Sequence, residues 1–414
     1  MSRLPKIPPL QWATLTIVFA VFATLPLNGI MALKRLLLLL LVALATHRVW
    51  QTRNFPQLPA AVWAWFALAP LSVLWSVSPE FTKSELLADA LYPLLALLAA
   101  WTLCRDSLNY RAAETGLLAG FALTLAIGFA GAVRSGSLAT ADWYGIAHGI
   151  GQFTTLLAMV LPLVLAFCVV ALAERRQLAL VAGLMLIAAI CVGGYAMPNR
   201  MFWLAALGGS FVIAATAALR PELRAARTRL LAAFALFGAA LVGTFYAVAR
   251  IKPASYLNSN AVTDSANSAV TAAFTQNERF EMWRFWADRI AEKPWLGIGF
   301  GHDLPRLTYS GSKPANWPDL MFAHAHNALV DIAVQLGLIG LAIFIAALAA
   351  IAFRLFRRLR DGDLATALTA AAGIAMMLAM LAKNMTDDFF SRGPLFAFWI
   401  ITGAILARTH KGAK

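Results

Sequence analysis

The sequence predicts an all-α integral membrane protein of about twelve transmembrane helices, and three observations carry that expectation. Of its 414 residues, 61% are hydrophobic and 13% charged, with a mean hydropathy of +0.72, a balance that soluble domains do not show. Apolar runs close to the ~20 residues needed to cross a bilayer recur along the chain, interrupted by one long polar stretch. The basic residues, finally, favour alternate connections between those runs. Helices are the expected form because hydrocarbon offers no partner for an unpaired backbone group.

The runs span roughly 11–28, 30–46, 60–75, 86–103, 115–134, 151–172, 177–197, 201–219, 229–249, 326–353, 364–384 and 393–409. The chain accordingly divides into helices one to nine (1–249), a long connection (250–325) and helices ten to twelve (326–414), with no room for a separate soluble domain. Met1–Lys6 precede a first apolar run that a second follows almost at once, which reads as an uncleaved first helix. Cys104, Cys168 and Cys191 all lie in apolar runs, so neither a disulfide framework nor a zinc site is indicated.

Orientation follows from Lys and Arg. The termini and even connections hold 19 of the 34, the short odd connections seven (Lys34, Arg35, Lys83, Arg134, Arg200, Lys383, Arg392) and the long ninth connection the other eight. Both termini are expected in the cytoplasm and the long connection outside, which suits a bacterial inner membrane with a periplasmic loop. The net charge of +14 is then mostly a topology signal, and no nucleic-acid partner is expected.

Taken in order, Lys34 and Arg35 sit outside against the charge trend, either snorkelling to headgroups or touching an anionic lipid head or sugar. Ser76–Ser84 carries turn chemistry at Ser78-Pro79, and its Lys83 either solvates a helix end or binds phosphate. In the fifth connection, Trp143 and Tyr144 suit a membrane interface without further function, and His148 stands between glycines. Arg200 lies in a tight turn between the seventh and eighth helices; a cation near the membrane marks a functional-site candidate with an anionic partner, or a lone snorkelling arginine.

The long connection splits in two. Residues 253–276 have no period and read as a mobile segment. Over 277–292, Phe280, Trp283, Trp286 and Ile290 recur at helical spacing, predicting an amphipathic helix in the interface plane. Arg279 stands one turn before Trp283, either stacking on it or facing headgroups, and Arg284 lies off the apolar face. Gly297-x-Gly-x-Gly301 follows a helix and not a strand, so it reads as a turn, not a dinucleotide loop. His324-x-His326 with His302 could suggest a metal, but no carboxylate sits at ligand spacing. Asn327, Asp331 and Gln335 instead continue from His326 as a polar stripe on the tenth helix, a side that faces protein or a water-filled cavity. Histidine as a residue type exchanges protons near neutral pH and suits general base work.

One histidine and several arginines on the outer side, where no ATP is expected, point to an activated lipid pyrophosphate bound by guanidinium forks. Arg279-Phe-Glu-Met-Trp283, Pro294-x-x-Gly297-x-Gly299, His324-x-His326-Asn327 and Leu336-Gly337-Leu-Ile-Gly340, together with the loop between helices nine and ten, resemble the O-antigen ligase and polymerase superfamily, and among its members the O-antigen ligases most. The resemblance implies a glycosyltransferase with no cofactor that moves O-antigen from undecaprenyl pyrophosphate to lipid A–core. It implies His326 as the essential histidine, with Arg279 and Arg200 as pyrophosphate ligands and no metal. Gln335 departs from it, since relatives often carry an acid there. Lys34, Arg35, Lys83 and Arg284 are secondary phosphate or core-sugar candidates, and His324, Asn327 and Asp331 are neighbours of the histidine. Asp387 and Asp388 either orient the acceptor or pair locally with Lys383. The polymerase, protein O-oligosaccharyltransferase and transporter readings stay open.

Overall fold

The computed structural model describes residues 8–136, 150–197, 199–250, 277–315, 317, 322–386 and 388–410. His148, the segment 253–276, Asp387 and Met1–Lys6 therefore lie outside the described residues, as does the side chain of Arg279.

Among the described residues every regular element is a helix, and all twelve apolar runs are helical. In chain order they are α1 (Pro9–Ala23), α2 (Met31–Thr52), α3 (Ala60–Leu71), α4 (Pro79–Leu103), α5 (Ser107–Ser135), α6 (Ile150–Ala173), α7 (Gln177–Ala196), α8 (Arg200–Leu219) and α9 (Arg227–Arg250). Then follow α10 (Asn277–Glu292), α11 (Leu304–Thr308), α12 (Ala328–Asp361), α13 (Leu364–Asn384) and α14 (Arg392–Arg408). Eight described helices are long and apolar enough to cross a membrane, while α1 and α3 are shorter. This is an integral membrane architecture, all helical.

The centre of the bundle is α6, 72% of whose apolar window is buried against 17% for the peripheral α9. Close approach uses small residues, as is usual where lipid supplies no hydrophobic drive. A side chain at Gly116 or Gly120 of α5 would fall 2.4 and 2.2 Å from the carbonyl oxygens of Phe19 and Ala23, so α1 and α5 run parallel in contact. α8 and α13 run antiparallel. Arg220, just past α8, donates to the carbonyls of Leu359 and Gly362 before α13, and Gly209 in mid-α8 faces Ala375 in mid-α13. Nine residues further towards the other end, Arg200 and Asn384 come level.

The described residues between 277 and 325 pack around a core of their own. That core is Met282, Trp286, Ile298, Leu304, Tyr309, Trp317, Phe322 and Ala325, joined by Val334 of α12. The bounds of α10 agree with the expected 277–292; of its expected apolar side Trp286 is buried, joined by Met282, while Phe280 is 57% exposed. The aromatic residues of the folded loop compete with lipid for this helix, and Trp286 goes to them, stacking on Phe322 at 5.6 Å.

The tenth membrane helix is not continuous. Gly337, at φ 68° and ψ −174°, breaks α12 after its first two turns. A break within a membrane needs other partners for the freed backbone groups, and Pro294–Gly301 supplies them. Ile298 and Gly299 donate N–H to the carbonyls of Val334 and Gln335, and Leu338 and Ile339 donate to those of Pro294 and Trp295. The Gln335 side-chain oxygen accepts the Gly301 N–H at 3.0 Å. The other edge of the segment meets the α3–α4 connection, where Val77 N–H binds Ile298 O and Phe300 N–H binds Ser72 Oγ. The glycines are thus a turn, as expected, and also a splint across the broken helix.

Candidate active site

His326 sits just before α12, half-buried, with φ 49°. That left-handed region is uncommon for residues other than glycine, although histidine enters it more readily than most. Its neighbours hold it there. Asn327 caps α12 by accepting from the N–H groups of Leu329 and Val330, and its amide donates to Met385 O at the end of α13. Asp331, one turn into the helix and 1% exposed, accepts the Ala325 N–H at 2.9 Å. Its other carboxylate oxygen lies 3.9 Å from His324 Nδ1, which in turn accepts the His326 N–H at 3.1 Å. The imidazoles of His324 and His326 stand 4.0 Å apart centre to centre. Trp283 of α10 donates its indole N–H to Ala325 O at 3.1 Å, which ties α10 to the segment carrying the histidines; Arg279 stands one turn earlier on the same helix. His326 and Asn327 therefore precede the helix; of the expected polar stripe only Asp331 and Gln335 lie on it, and both are spent on loop N–H groups.

Arg200 occupies the first turn of α8, which Asn199 caps through the Phe202 N–H. A cation there opposes the helix dipole, so helix stability does not account for it. The level pairing of α8 with α13 puts it at the same end of the bundle as Asn384, Met385 and His326.

Asp388 is an expected candidate and His302 enters the sequence reading only as a metal ligand, whereas Glu85, Asp89 and Arg392 carry no site expectation. His302 Nε2 lies 3.5 Å from Asp388 Oδ2, and Asp388 is 5% exposed. Arg392 makes two 2.9 Å bonds to Glu85, and its N–H donates to Asp89 at 2.9 Å. Asp89 sits in the widened turn Leu87–Leu91 of α4. Pro93 explains that turn, because it has no N–H to give the Asp89 carbonyl. The signal was present: two acids inside or beside an apolar run call for a partner. Asp89, His302, Gln335 and Asp388 line one cleft together with apolar residues such as Trp65, Phe300 and Phe390.

The secondary candidates fare differently. Lys34 donates its ammonium to the carbonyls of Leu25 and Leu27, and Lys83 pairs with Glu80 at 2.7 Å on the surface. Arg35 and Arg284 are exposed. Lys383 is fully buried, its ammonium 4.7 Å from the centre of the Phe389 ring. Among the described residues no three His, Cys, Asp or Glu side chains form a metal-binding group.

The resemblance read from the sequence holds over 161–345, which match the family model described as O-antigen ligase. That span runs from α6 through the histidines and past the break at Gly337. A provisionally named polysaccharide ligase of Rickettsia bellii is 39% identical over 75 residues, 16% of this chain and 17% of that protein. A second, from Rickettsia conorii, is 36% identical over 74 residues, again 16% and 17%. The match thus spans about a sixth of the length of these curated relatives.

Proposed function

We propose that this chain is a membrane glycosyltransferase of the O-antigen ligase type, joining a glycan from undecaprenyl pyrophosphate to lipid A–core at the periplasmic face of the bacterial inner membrane. The observation that carries this reading is His326, held half-exposed in a left-handed backbone within the matched span and at the same end of the bundle as Arg200.

His326 takes the proton of the acceptor hydroxyl, whose oxygen attacks the anomeric carbon. The bond from that carbon to the pyrophosphate oxygen breaks on the opposite face, so the configuration inverts. Arg200 and Arg279 bind the pyrophosphate and offset the negative charge that grows on it. The positive dipole end of α8 adds to Arg200 as an anion site. Asp331 acts at one remove: it orients the loop that carries His324 and His326.

Purified protein given the polyprenyl-linked glycan and lipid A–core should build a ladder on lipid A–core, and His326→Ala should not. With arginines in place of a metal at the leaving pyrophosphate, EDTA should leave the rate unchanged; inhibition that added metal reverses would sink the scheme. Lengthening of the lipid-linked glycan with no ladder would make the chain a polymerase.

A further inference from the structure

A second cleft opens at the other end of the bundle, away from the histidines, between α1, α5, α6, α13 and α14. It is open on one side, with about 1070 Å³ of space counting the open region at its mouth. Its mouth carries Arg111, Arg176 and Arg408 with Glu114 and Glu174. Its depth is apolar, with Phe22, Leu117, Leu118 and Leu163 among the walls. From Ser107 at the mouth to Leu118 is eleven residues of α5, or about 16 Å at the helical rise. The cleft is therefore as deep as a fatty acyl chain is long, and charged only where a headgroup would lie.

We propose that this cleft binds an anionic glycerophospholipid, its phosphodiester held by Arg111 and Arg408 and one acyl chain lying between α5 and α6. Charge selects the occupant. Glu174 pairs with Arg176 at 3.2 Å; over the whole mouth three guanidinium groups face two carboxylates. The one surplus positive charge is what a single phosphodiester neutralises, whereas a zwitterionic head leaves it unbalanced. Basic pockets between membrane helices bind anionic lipid heads in this way. The proposal is independent of the glycosyl-transfer reading.

The test is native mass spectrometry of the purified full-length protein, titrated with phosphatidylglycerol or with phosphatidylethanolamine of the same acyl chains. Wild type should retain one phosphatidylglycerol in preference, and each arginine removed should cost about fivefold in retention. Arg111→Ala/Arg408→Ala should abolish the preference. Arg111→Lys/Arg408→Lys, which keeps the charge, should preserve part of it and stands in if the alanine pair does not fold. Equal retention of both lipids by wild type overturns the proposal, as does a preference that survives the alanine pair. Displacement of the lipid by millimolar inorganic phosphate would assign the cleft to a soluble anion instead.

Discussion

At the scale of single residues, His326 and Arg392 share a left-handed backbone, at φ 49° each, and each is held by its neighbours. The strain at His326 affects how its role is tested. Alanine is disfavoured in that region, so His326→Ala removes the imidazole and also tilts the backbone; asparagine tolerates it well. His326→Asn should therefore keep the melting temperature of the wild type and lose about 10²–10⁴-fold in transfer rate. A folded His326→Asn protein with near wild-type rate would remove the histidine from the chemistry. Arg392 makes a different case. Removing it leaves Glu85 and Asp89, 8% and 4% exposed in their side chains, without their cation. Breaking a buried pair costs about 3–5 kcal/mol and an exposed one about 0–1. With Arg392 itself 44% exposed, Arg392→Ala should cost about 1–3 kcal/mol, read as a lower melting temperature. Arg392→Lys should recover little, because an ammonium cannot reproduce the fork.

Helix by helix, the eight described helices long and apolar enough to cross a membrane were legible in the sequence, because hydropathy and length report the one constraint that lipid imposes. The break in α12 was not. A run such as Ile332-Ala-Val-Gln-Leu-Gly-Leu-Ile339 reads as continuous helix, since one glycine in a helix costs only about 1 kcal/mol. What opens it is Pro294–Gly301, some forty residues earlier, and no local pattern announces that pairing. A longer separation hid Arg392, which meets Glu85 and Asp89 across about 300 residues. The site was legible in part: the family resemblance singled out His326, but its hold by Asp331, Asn327 and Trp283 appears only once the loop is folded. This splint is testable at Gly337. A side chain there would place its first carbon 2.2 Å from the Trp295 carbonyl oxygen, at a φ that only glycine adopts freely. Gly337→Ala should sharply lower the yield of folded protein and its melting temperature, whereas Gly131→Ala, with open space at its position, should change neither. A Gly337→Ala protein as stable as wild type would mean that the break is not needed.

For the whole molecule, two chemically unlike ends follow from one topology. One end gathers His302, His324, His326 and Arg200, with the acids Asp331, Asp388, Glu85 and Asp89 folded among them. The other gathers Arg111, Arg176, Arg220 and Arg408 at the helix junctions. On the proposed reading the charge bias puts the second end in the cytoplasm and the first, where glycan transfer would run, in the periplasm. Labelling decides this directly. Cys104 and Cys168 are buried and Cys191 half-buried, so a background without them should fold and give no signal of its own. In that background Arg306→Cys, on the exposed surface of the loop, should react with a membrane-impermeant maleimide once the outer membrane is opened. Arg224→Cys, exposed at the opposite end, should react only after the inner membrane is lysed. The reverse pattern would turn the molecule over, and would leave His326 on the side where no lipid-linked glycan donor waits.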